Sequence, residues 1–332
     1  MYTPETITSW MASIRSGDRN ALSRAITLIE SQLPEDRIIA TQLIHQMGSL
    51  NSNSFRIGIT GPPGAGKSTL IETLGLHLIR QNYKVAVLSI DPSSALTKGS
   101  ILGDKTRMQN LAIEANAFIR PSPTGNQFGG VARHTRESIW LCEAAGFDYI
   151  LVETAGIGQS EYLVSTMTDL TLLISLPGSG DDLQGIKKGI LEWSDIIVLN
   201  KADDDKDIRL ISSYKDLLAA SQFTQSRYPG WDRKILKISA LHNKGIDNLV
   251  QEIEKFKLYI EENQAIKASR QQQMVDYFNQ NLKEKLWETL EQNPELSAFL
   301  IQTKKNILHR EISPEEATDI SLAFIFALFN KK

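Results

Sequence analysis

Cysteine is nearly absent from this sequence of 332 residues, in which Cys142 is the only one. A single cysteine cannot form an internal disulfide, so the sequence is not that of a disulfide-stabilised secreted domain. Its isolation fits a reducing compartment, and we expect Cys142 to be buried as a small hydrophobic side chain.

Long apolar runs, a targeting segment and a strong charge of one sign are missing as well. The longest apolar run, at 320–329, is too short and too interrupted to span a bilayer. A signal peptide has a charged segment followed by an apolar one, and the N-terminus shows no such pattern. The net charge of −3 provides no broad basic field for nucleic acid. We therefore expect a cytoplasmic protein that binds neither nucleic acid nor a membrane.

What is present is an ordinary globular composition, with 41% hydrophobic and 23% charged residues. The length suggests about two domains. Between 54 and 245, helical segments alternate with short β-rich runs, which read FRIGIT, KVAVLSID, DYILVET, LTLLISLPG, DIIVLNKAD and KILKISA. Near-continuous apolar runs are typical of strands buried on both faces of a parallel sheet. The pattern predicts an α/β domain with a mostly parallel sheet flanked by helices.

Helical patterns flank this α/β region on both sides. Residues 1–53 predict a helical N-terminal extension, with Asp18 capping one helix and Pro34 opening another. Residues 246–332 predict a helical C-terminal region whose last helix begins at Ser313-Pro314. One helix there has an apolar stripe formed by Ile246, Leu249, Ile253, Phe256 and Ile260. Their spacings of three and four residues put these side chains on one face of the helix.

A phosphate-binding motif follows the first β-rich run. It matches G-x-x-x-x-G-K-[ST] and consists of Gly61, Pro62, Pro63, Gly64, Ala65, Gly66, Lys67 and Ser68, followed by Thr69. Its glycines let backbone N–H groups face the phosphates, and the next helix adds its dipole. In this motif the lysine reaches the β/γ-phosphates and the serine hydroxyl ligates Mg²⁺. The strand–loop–helix context predicts a nucleotide-binding protein rather than a plain glycine-rich turn.

A second motif, Asn200-Lys201-Ala202-Asp203, predicts which base is bound. An ionised Asp203 can accept hydrogen bonds from guanine N1–H and the 2-amino group, whereas adenine has no donor at either position. Asn200 can hold the loop and reach the base edge, and the Lys201 stem can lie along the base face. A backbone N–H for guanine O6 can come from Ala240, in the loop Ser239-Ala240-Leu241. These residues favour GTP over ATP.

Carboxylates at the ends of two other runs predict Mg²⁺ ligands. Asp91 ends one run, with Asp104 and Arg107 downstream, and Glu153 ends another. The carboxyl ends of strands form the ligand-binding side of open α/β sheets. Mg²⁺ takes carboxylates directly or through water, so Glu153 is adequate where Asp is usual, and Gly156 would then donate its N–H to the γ-phosphate. Asp91, which precedes Pro92, could instead be a turn former, and Glu153 could be a strand-end carboxylate without a metal.

The glycine-rich loop at 176–189 is open to two interpretations. It could read the γ-phosphate through Gln184, Lys187 or Lys188, or it could be a solvent loop.

With these motifs identified, the sequence resembles the MeaB/ArgK family of P-loop GTPases over nearly its whole length. The distinctive segments are GPPGAGKST, SIDPSS, GSILGDKTRM, IRPSPTGNQFGGVARHTRE, ILVETAGIGQSE, LPGSGDDLQGIKKGI and VLNKAD. The resemblance implies that Glu153 is a carboxylate of the second switch, associated with Mg²⁺ together with Asp91 and Asp104. It also implies a third switch, which transmits the nucleotide state to a partner and lies around Asp181, Gln184 and Lys187.

Members of this family typically act as G-protein chaperones of adenosylcobalamin-dependent acyl-CoA mutases, above all methylmalonyl-CoA mutase. They gate cofactor delivery and protect or reactivate the mutase, and they are typically homodimers joined through C-terminal helices. The resemblance therefore implies a mutase partner and a homodimer, and the stripe from Ile246 to Ile260 and the apolar helix at 313–329 would suit the dimer interface. On spacing alone, a tertiary core is as likely for the stripe. Because no cobalamin-binding motif is visible, we expect that cofactor to belong to the partner.

The expected reaction is hydrolysis of GTP to GDP and phosphate, catalysed by positioning and charge stabilisation. The expected catalytic residues are Lys67, Asp104, Glu153 and Lys187. No arginine finger is assigned, although Arg107 or Lys187 could serve, so we expect slow intrinsic turnover that a partner accelerates.

Two alternatives stay open. A metal-insertion GTPase would need clustered Cys and His ligands, but the sequence has Cys142 alone and scatters His45, His77, His134, His242 and His309. A P-loop ATPase or a kinase linked to amino-acid transport is opposed by the motif at 200–203.

Overall fold

The computed structural model describes residues 4–31, 33–47, 53–90, 108–121, 128–154, 160–178 and 188–330. Within these ranges there are seven strands: β1 (Phe55–Thr60), β2 (Val85–Ile90), β3 (Ala117–Pro121), β4 (Tyr149–Thr154), β5 (Leu170–Ser175), β6 (Ile196–Leu199) and β7 (Lys234–Lys237). They form one sheet in the order β3-β2-β4-β1-β5-β6-β7, and every neighbouring pair is parallel. The predicted parallel α/β fold is confirmed.

The six strands predicted from apolar runs are present. Every residue of β1, β2, β4 and β5 is buried, as expected of strands covered on both faces. Strand β3 was not predicted, because its segment AFIRP has only a short apolar run and ends in proline. This strand lies at the edge of the sheet and pairs only with β2, a position where proline is tolerated.

Thirteen helices surround or follow the sheet in the part of the chain that the structure describes. Those before β4 are α1 (Pro4–Arg15), α2 (Arg19–Glu30), α3 (Pro34–Met47), α4 (Lys67–Arg80), α5 (Gln109–Ala112) and α6 (Phe128–Ala144). Those after β4 are α7 (Ser160–Ser165), α8 (Lys188–Trp193), α9 (Ile208–Gln222), α10 (Ile246–Glu262), α11 (Ala265–Glu291), α12 (Pro294–Leu308) and α13 (Pro314–Asn330). None of the described helices is long and apolar enough to cross a membrane.

The predicted helix starts are confirmed by their hydrogen bonds. Asp18 Oδ1 accepts from the backbone N–H of Asn20 at 2.8 Å and of Ala21 at 3.1 Å, which caps α2. Ser313 Oγ accepts from the Glu316 N–H at 3.1 Å, which caps α13. These bonds satisfy N–H groups that a helix cannot pair internally.

By its internal contacts the chain forms two compact units, Met1–Gln273 and Met274–Lys332. The first contains the sheet, and α10 packs its apolar stripe into the hydrophobic core there, together with side chains of β1, β4 and β5. Of the two roles left open for this stripe, the structure shows the tertiary core. Cys142 is also fully buried in this unit, as expected. The domain boundaries expected at 53/54 and 245/246 stay a prediction.

The second unit is helical, as predicted. Asn293 caps α12 by accepting from the N–H groups of Glu295 and Leu296. Helices α12 and α13 pack together, and the rings of Phe299 and Phe324 are stacked at 4.2 Å.

Buried ion pairs secure the amino-terminal edge of the sheet. Asp169, which precedes β5, is fully buried and accepts from Arg270 at 2.9 and 2.7 Å and from the Arg56 N–H at 2.8 Å. The Arg56 guanidinium donates to both Glu143 oxygens at 2.8 Å. Burial alone would raise the pKa of Asp169, but the hydrogen bonds and charge of Arg270, with the charge of Arg56, outweigh it and hold the pKa below its usual value.

Candidate nucleotide-binding site

The loop of the phosphate-binding motif joins β1 to α4 at the carboxyl edge of the sheet. Its glycines Gly61, Gly64 and Gly66 all have positive φ, between 75° and 146°. A Cβ at Gly61 would lie 2.3 Å from the carbonyl oxygen of Ile174 in β5, so the loop can follow this path only with glycine there. The motif at 61–68 therefore has the strand–loop–helix context that it needs to bind phosphate.

Lys67 begins α4 and is buried, and its ammonium lies within the loop. The Nζ atom donates to the carbonyl oxygens of Gly61 at 2.8 Å and Pro62 at 3.0 Å. These two acceptors hold a positive charge in the concave part of the loop. An ammonium in this place is suited to meet the β/γ-phosphates.

Ser68 and Glu153 approach each other across the sheet edge. Ser68 Oγ donates to Glu153 Oε1 at 2.9 Å, and Glu153 is buried near the end of β4, in register with Ile59 of β1. Thr154, the next residue, donates to Thr60 Oγ1 at 3.0 Å and ties the ends of the same two strands together. A hydroxyl and a carboxylate oxygen this close are the hard ligands that Mg²⁺ prefers, so the donor set fits this ion.

Asn200 follows β6 and connects the base motif to the phosphate loop. Its Nδ2 donates to the Ala65 carbonyl at 2.8 Å, and its Oδ1 accepts from the Ala240 N–H at 3.0 Å. The absence of a side chain at Gly66 makes room for this amide, since a Cβ there would lie 2.5 Å from Asn200 Nδ2. Asn200 is thus a buried bridge between three segments, which agrees with its expected loop-holding role.

Asp203 and Ser239 form the other part of the base motif. Ser239 Oγ donates to Asp203 Oδ1 at 2.5 Å, and the Asp203 side chain remains 52% exposed. This contact orients the carboxylate while leaving it accessible to a ligand. Lys201 is held in the left-handed region at φ 60°, a conformation that is uncommon outside glycine and frequent at functional sites. Leu241 presents its side chain to solvent.

The Ala240 backbone makes two hydrogen bonds with side chains. Its N–H, expected to reach guanine O6, donates to Asn200 Oδ1, and its carbonyl accepts from Thr73 Oγ1 at 3.0 Å. Thr73 was not predicted as a site residue, because a threonine inside an amphipathic helix carries no sequence signal of a contact with a residue this distant in the chain.

Seven predicted site residues lie outside the described residues: Asp91, Asp104, Arg107, Gly156, Asp181, Gln184 and Lys187. These seven residues belong to three segments of the sequence, which follow Ile90 at the end of β2, Thr154 at the end of β4 and Gly178 shortly after β5. All three strands are parallel members of one sheet, so they end on the side that carries the phosphate loop. In the part of the chain that the structure describes, no group of three or more His, Cys, Asp or Glu side chains is placed to hold a metal.

The parallel sheet with its phosphate loop and flanking helices defines a P-loop nucleotide-binding protein. The model of one family, described as "Methylmalonyl Co-A mutase-associated GTPase MeaB", matches residues 22–295. The chain belongs to this MeaB family, and it is a GTPase.

Relatives and a solved structure agree with this family. The chain is 44% identical to a probable GTPase of Mycobacterium tuberculosis over 315 residues, which cover 94% of this chain and 93% of that protein. It is 37% identical to the mitochondrial methylmalonic aciduria type A homolog of Mus musculus, covering 92% of this chain and 76% of that protein. The crystal structure of an LAO/AO transport system kinase has 33% identity and a TM-score of 0.76, covering 98% of this chain and 99% of that one.

Proposed function

We propose that this GTPase is a G-protein chaperone of an adenosylcobalamin-dependent acyl-CoA mutase, and that methylmalonyl-CoA mutase is its client. It gates loading of the cofactor and protects the mutase, and it does so in the cytoplasm. The observation that carries the proposal is the family match over residues 22–295, because the family is described by its association with methylmalonyl-CoA mutase. The name of the mouse relative, a methylmalonic aciduria homolog, points to the same metabolism.

In the proposed mechanism, the chain binds GTP at the carboxyl edge of the sheet. Lys67 leaves the carbonyls of Gly61 and Pro62, which it contacts in the structure, and meets the β/γ-phosphates. Asp203 accepts from guanine N1–H and the 2-amino group, in the orientation that Ser239 supports. Water attacks the γ-phosphorus in line while its bond to the β–γ bridging oxygen breaks, so that GDP and inorganic phosphate are released, and the protein contributes position and positive charge.

Mg²⁺ would be held by Ser68 and Glu153, whose oxygen atoms are 2.9 Å apart, with Asp91 and Asp104 completing or supporting its shell. When bound, the ion neutralises charge on the phosphate oxygens. Asp104, Lys187 and Arg107 remain proposed contributors to catalysis or switching. Gly156 would donate its N–H to the γ-phosphate.

Coupling to the client is assigned to the third switch, around Asp181, Gln184 and Lys187. We place the homodimer interface in the second unit. There α11 exposes Phe278, Leu282 and Leu286 at spacings of four residues, which puts them on one helix face. Sedimentation of Leu282→Glu, which puts a charge on this face, should give a monomer. A dimer that withstands this change would place the interface elsewhere.

The test is GTP hydrolysis by the full chain with and without purified adenosylcobalamin-dependent methylmalonyl-CoA mutase from the same source. We expect faster hydrolysis and co-elution of the two proteins. A Lys67→Ala variant, which lacks the phosphate-binding charge, should lose hydrolysis in both conditions and so exclude a contaminating GTPase. Unchanged hydrolysis without co-elution would refute this client.

A second candidate, a kinase linked to amino-acid transport, is suggested by the name of the similar crystal structure, that of an LAO/AO transport system kinase. The same assay separates the two, because a kinase would transfer phosphate to an amino acid or protein acceptor rather than to water.

A further inference from the structure

Thr73 lies outside both nucleotide motifs, yet its side chain reaches one of them. The Oγ1 atom, in α4, lies 2.9 Å from the Thr69 carbonyl oxygen and 3.0 Å from the Ala240 carbonyl oxygen. The first contact is local, and threonine makes it in many helices. The second joins residues that are 167 positions apart in sequence, so it exists only because the fold brings α4 to the loop after β7.

The Ala240 backbone is held on both sides. Its N–H donates to Asn200 Oδ1, and its carbonyl faces the Thr73 hydroxyl. Asn200 in turn donates to the Ala65 carbonyl in the phosphate loop, and α4 continues directly from that loop. The hydrogen bonds and the chain from 65 to 73 therefore form a closed ring that fixes Ala240 relative to the phosphate site.

A fixed Ala240 carbonyl also fixes the direction of the Leu241 N–H, which belongs to the same peptide group. A trans peptide is planar, with its C=O and N–H pointing in opposite directions. The described chain has no cis peptide bond, so the Leu241 N–H points away from the carbonyl that Thr73 holds. Because the Ala240 N–H is already donated to Asn200, the Leu241 N–H is the amide of this loop left to a base.

We propose that Thr73 is a positioning residue for guanine recognition: by holding the Ala240 carbonyl, it aims the Leu241 N–H at the 6-oxo group of the base. This inference rests on the proposed guanine site, in which Asp203 reads the N1 and 2-amino edge. Thr73 touches neither nucleotide nor phosphate and acts only through the peptide that it orients.

The test uses Thr73→Val, which keeps the shape and the branched Cβ but removes the hydroxyl, and Thr73→Ser, which keeps the hydroxyl. The probes are GDP and 6-thioguanosine diphosphate. The second probe retains the edge read by Asp203 and has sulfur, a weak acceptor, in place of the 6-oxo group. Dissociation constants are measured on the full chain without any partner.

We expect T73V to weaken GDP about tenfold and 6-thioguanosine diphosphate less than about twofold, as loss of one oriented hydrogen bond would. T73S should restore the wild-type ratio between the two probes. The melting temperature without nucleotide should stay close to that of the wild type. Should T73V fail to fold, Thr73→Ala replaces it in the same comparison.

Two results would overturn the inference, one by removing the role of Thr73 alone and the other by removing the guanine site as well. If the wild type prefers GDP over ADP but T73V weakens both guanine probes equally, Thr73 has only a structural role. If the wild type does not distinguish GDP from ADP, the guanine site itself is wrong, and the role of Thr73 is lost with it. Failure of the mutase assay affects neither measurement, because no mutase is present.

Discussion

Replacement of Asp203 by asparagine tests the base assignment most directly. The carboxylate is half exposed and already accepts one hydrogen bond, from Ser239 Oγ to Oδ1. An asparagine amide keeps one acceptor but presents its NH₂ group to guanine N1–H and the 2-amino group, which are both donors. A hydrogen bond to a charged group contributes about 1.5–3 kcal/mol, and the exposure of Asp203 favours the lower figure for each of the two guanine contacts. The expected loss is about 3 kcal/mol, or roughly a hundredfold in GDP affinity.

Equilibrium competition with GDP and xanthosine diphosphate measures this effect. Xanthine has a carbonyl where guanine has the 2-amino group, so D203N should bind the xanthine nucleotide better than the wild type does. Asp205→Asn is the matched control, since Asp205 lies in the same loop, is exposed and pairs with Lys244 at 2.8 Å. It removes the same charge and should change GDP affinity less than about twofold. An unchanged GDP preference in D203N, or an equal loss in the control, would refute the assignment.

Three further changes probe the phosphate loop, the ion pairs and the core. Gly66→Ala should weaken GDP binding at least about tenfold in a titration, because the new Cβ would displace the Asn200 amide and because Gly66 has a positive φ, which strains alanine. An unchanged GDP affinity would contradict this. Asp169→Asn should destabilise folding by about 3–5 kcal/mol in urea unfolding, because it removes the buried negative charge that Arg270 faces. The folded pKa of Asp169 is lowered, so its contribution to stability is present above about pH 4 and is lost progressively as the pH falls toward the folded pKa. An equally steep acid dependence in D169N would argue against this role. Ile253→Ala should cost about 2–5 kcal/mol in the same assay without altering the oligomeric state; dissociation of a dimer would contradict the core position.

Local patterns in the sequence were sufficient for much of the architecture. Apolar runs predicted six strands because strands buried on both faces leave few positions for polar residues. The phosphate loop was predictable because positive φ values and close backbone approach require glycine at set positions. Asp18 and Ser313 marked helix starts because a capping bond forms within three residues.

Contacts between distant segments were decided only by the tertiary structure. The apolar stripe of α10 suited a core or an interface equally, since periodicity shows which face is apolar but not what covers it. Strand β3 is an edge strand whose pairing with β2, rather than its own composition, defines it. The bonds from Asn200 to Ala65 and from Thr73 to Ala240 join residues that are 135 and 167 positions apart. The sequence determined the chemical groups of the site and their local backbone, while the fold determined which groups meet, because hydrogen bonding depends on distances that spacing along the chain does not set.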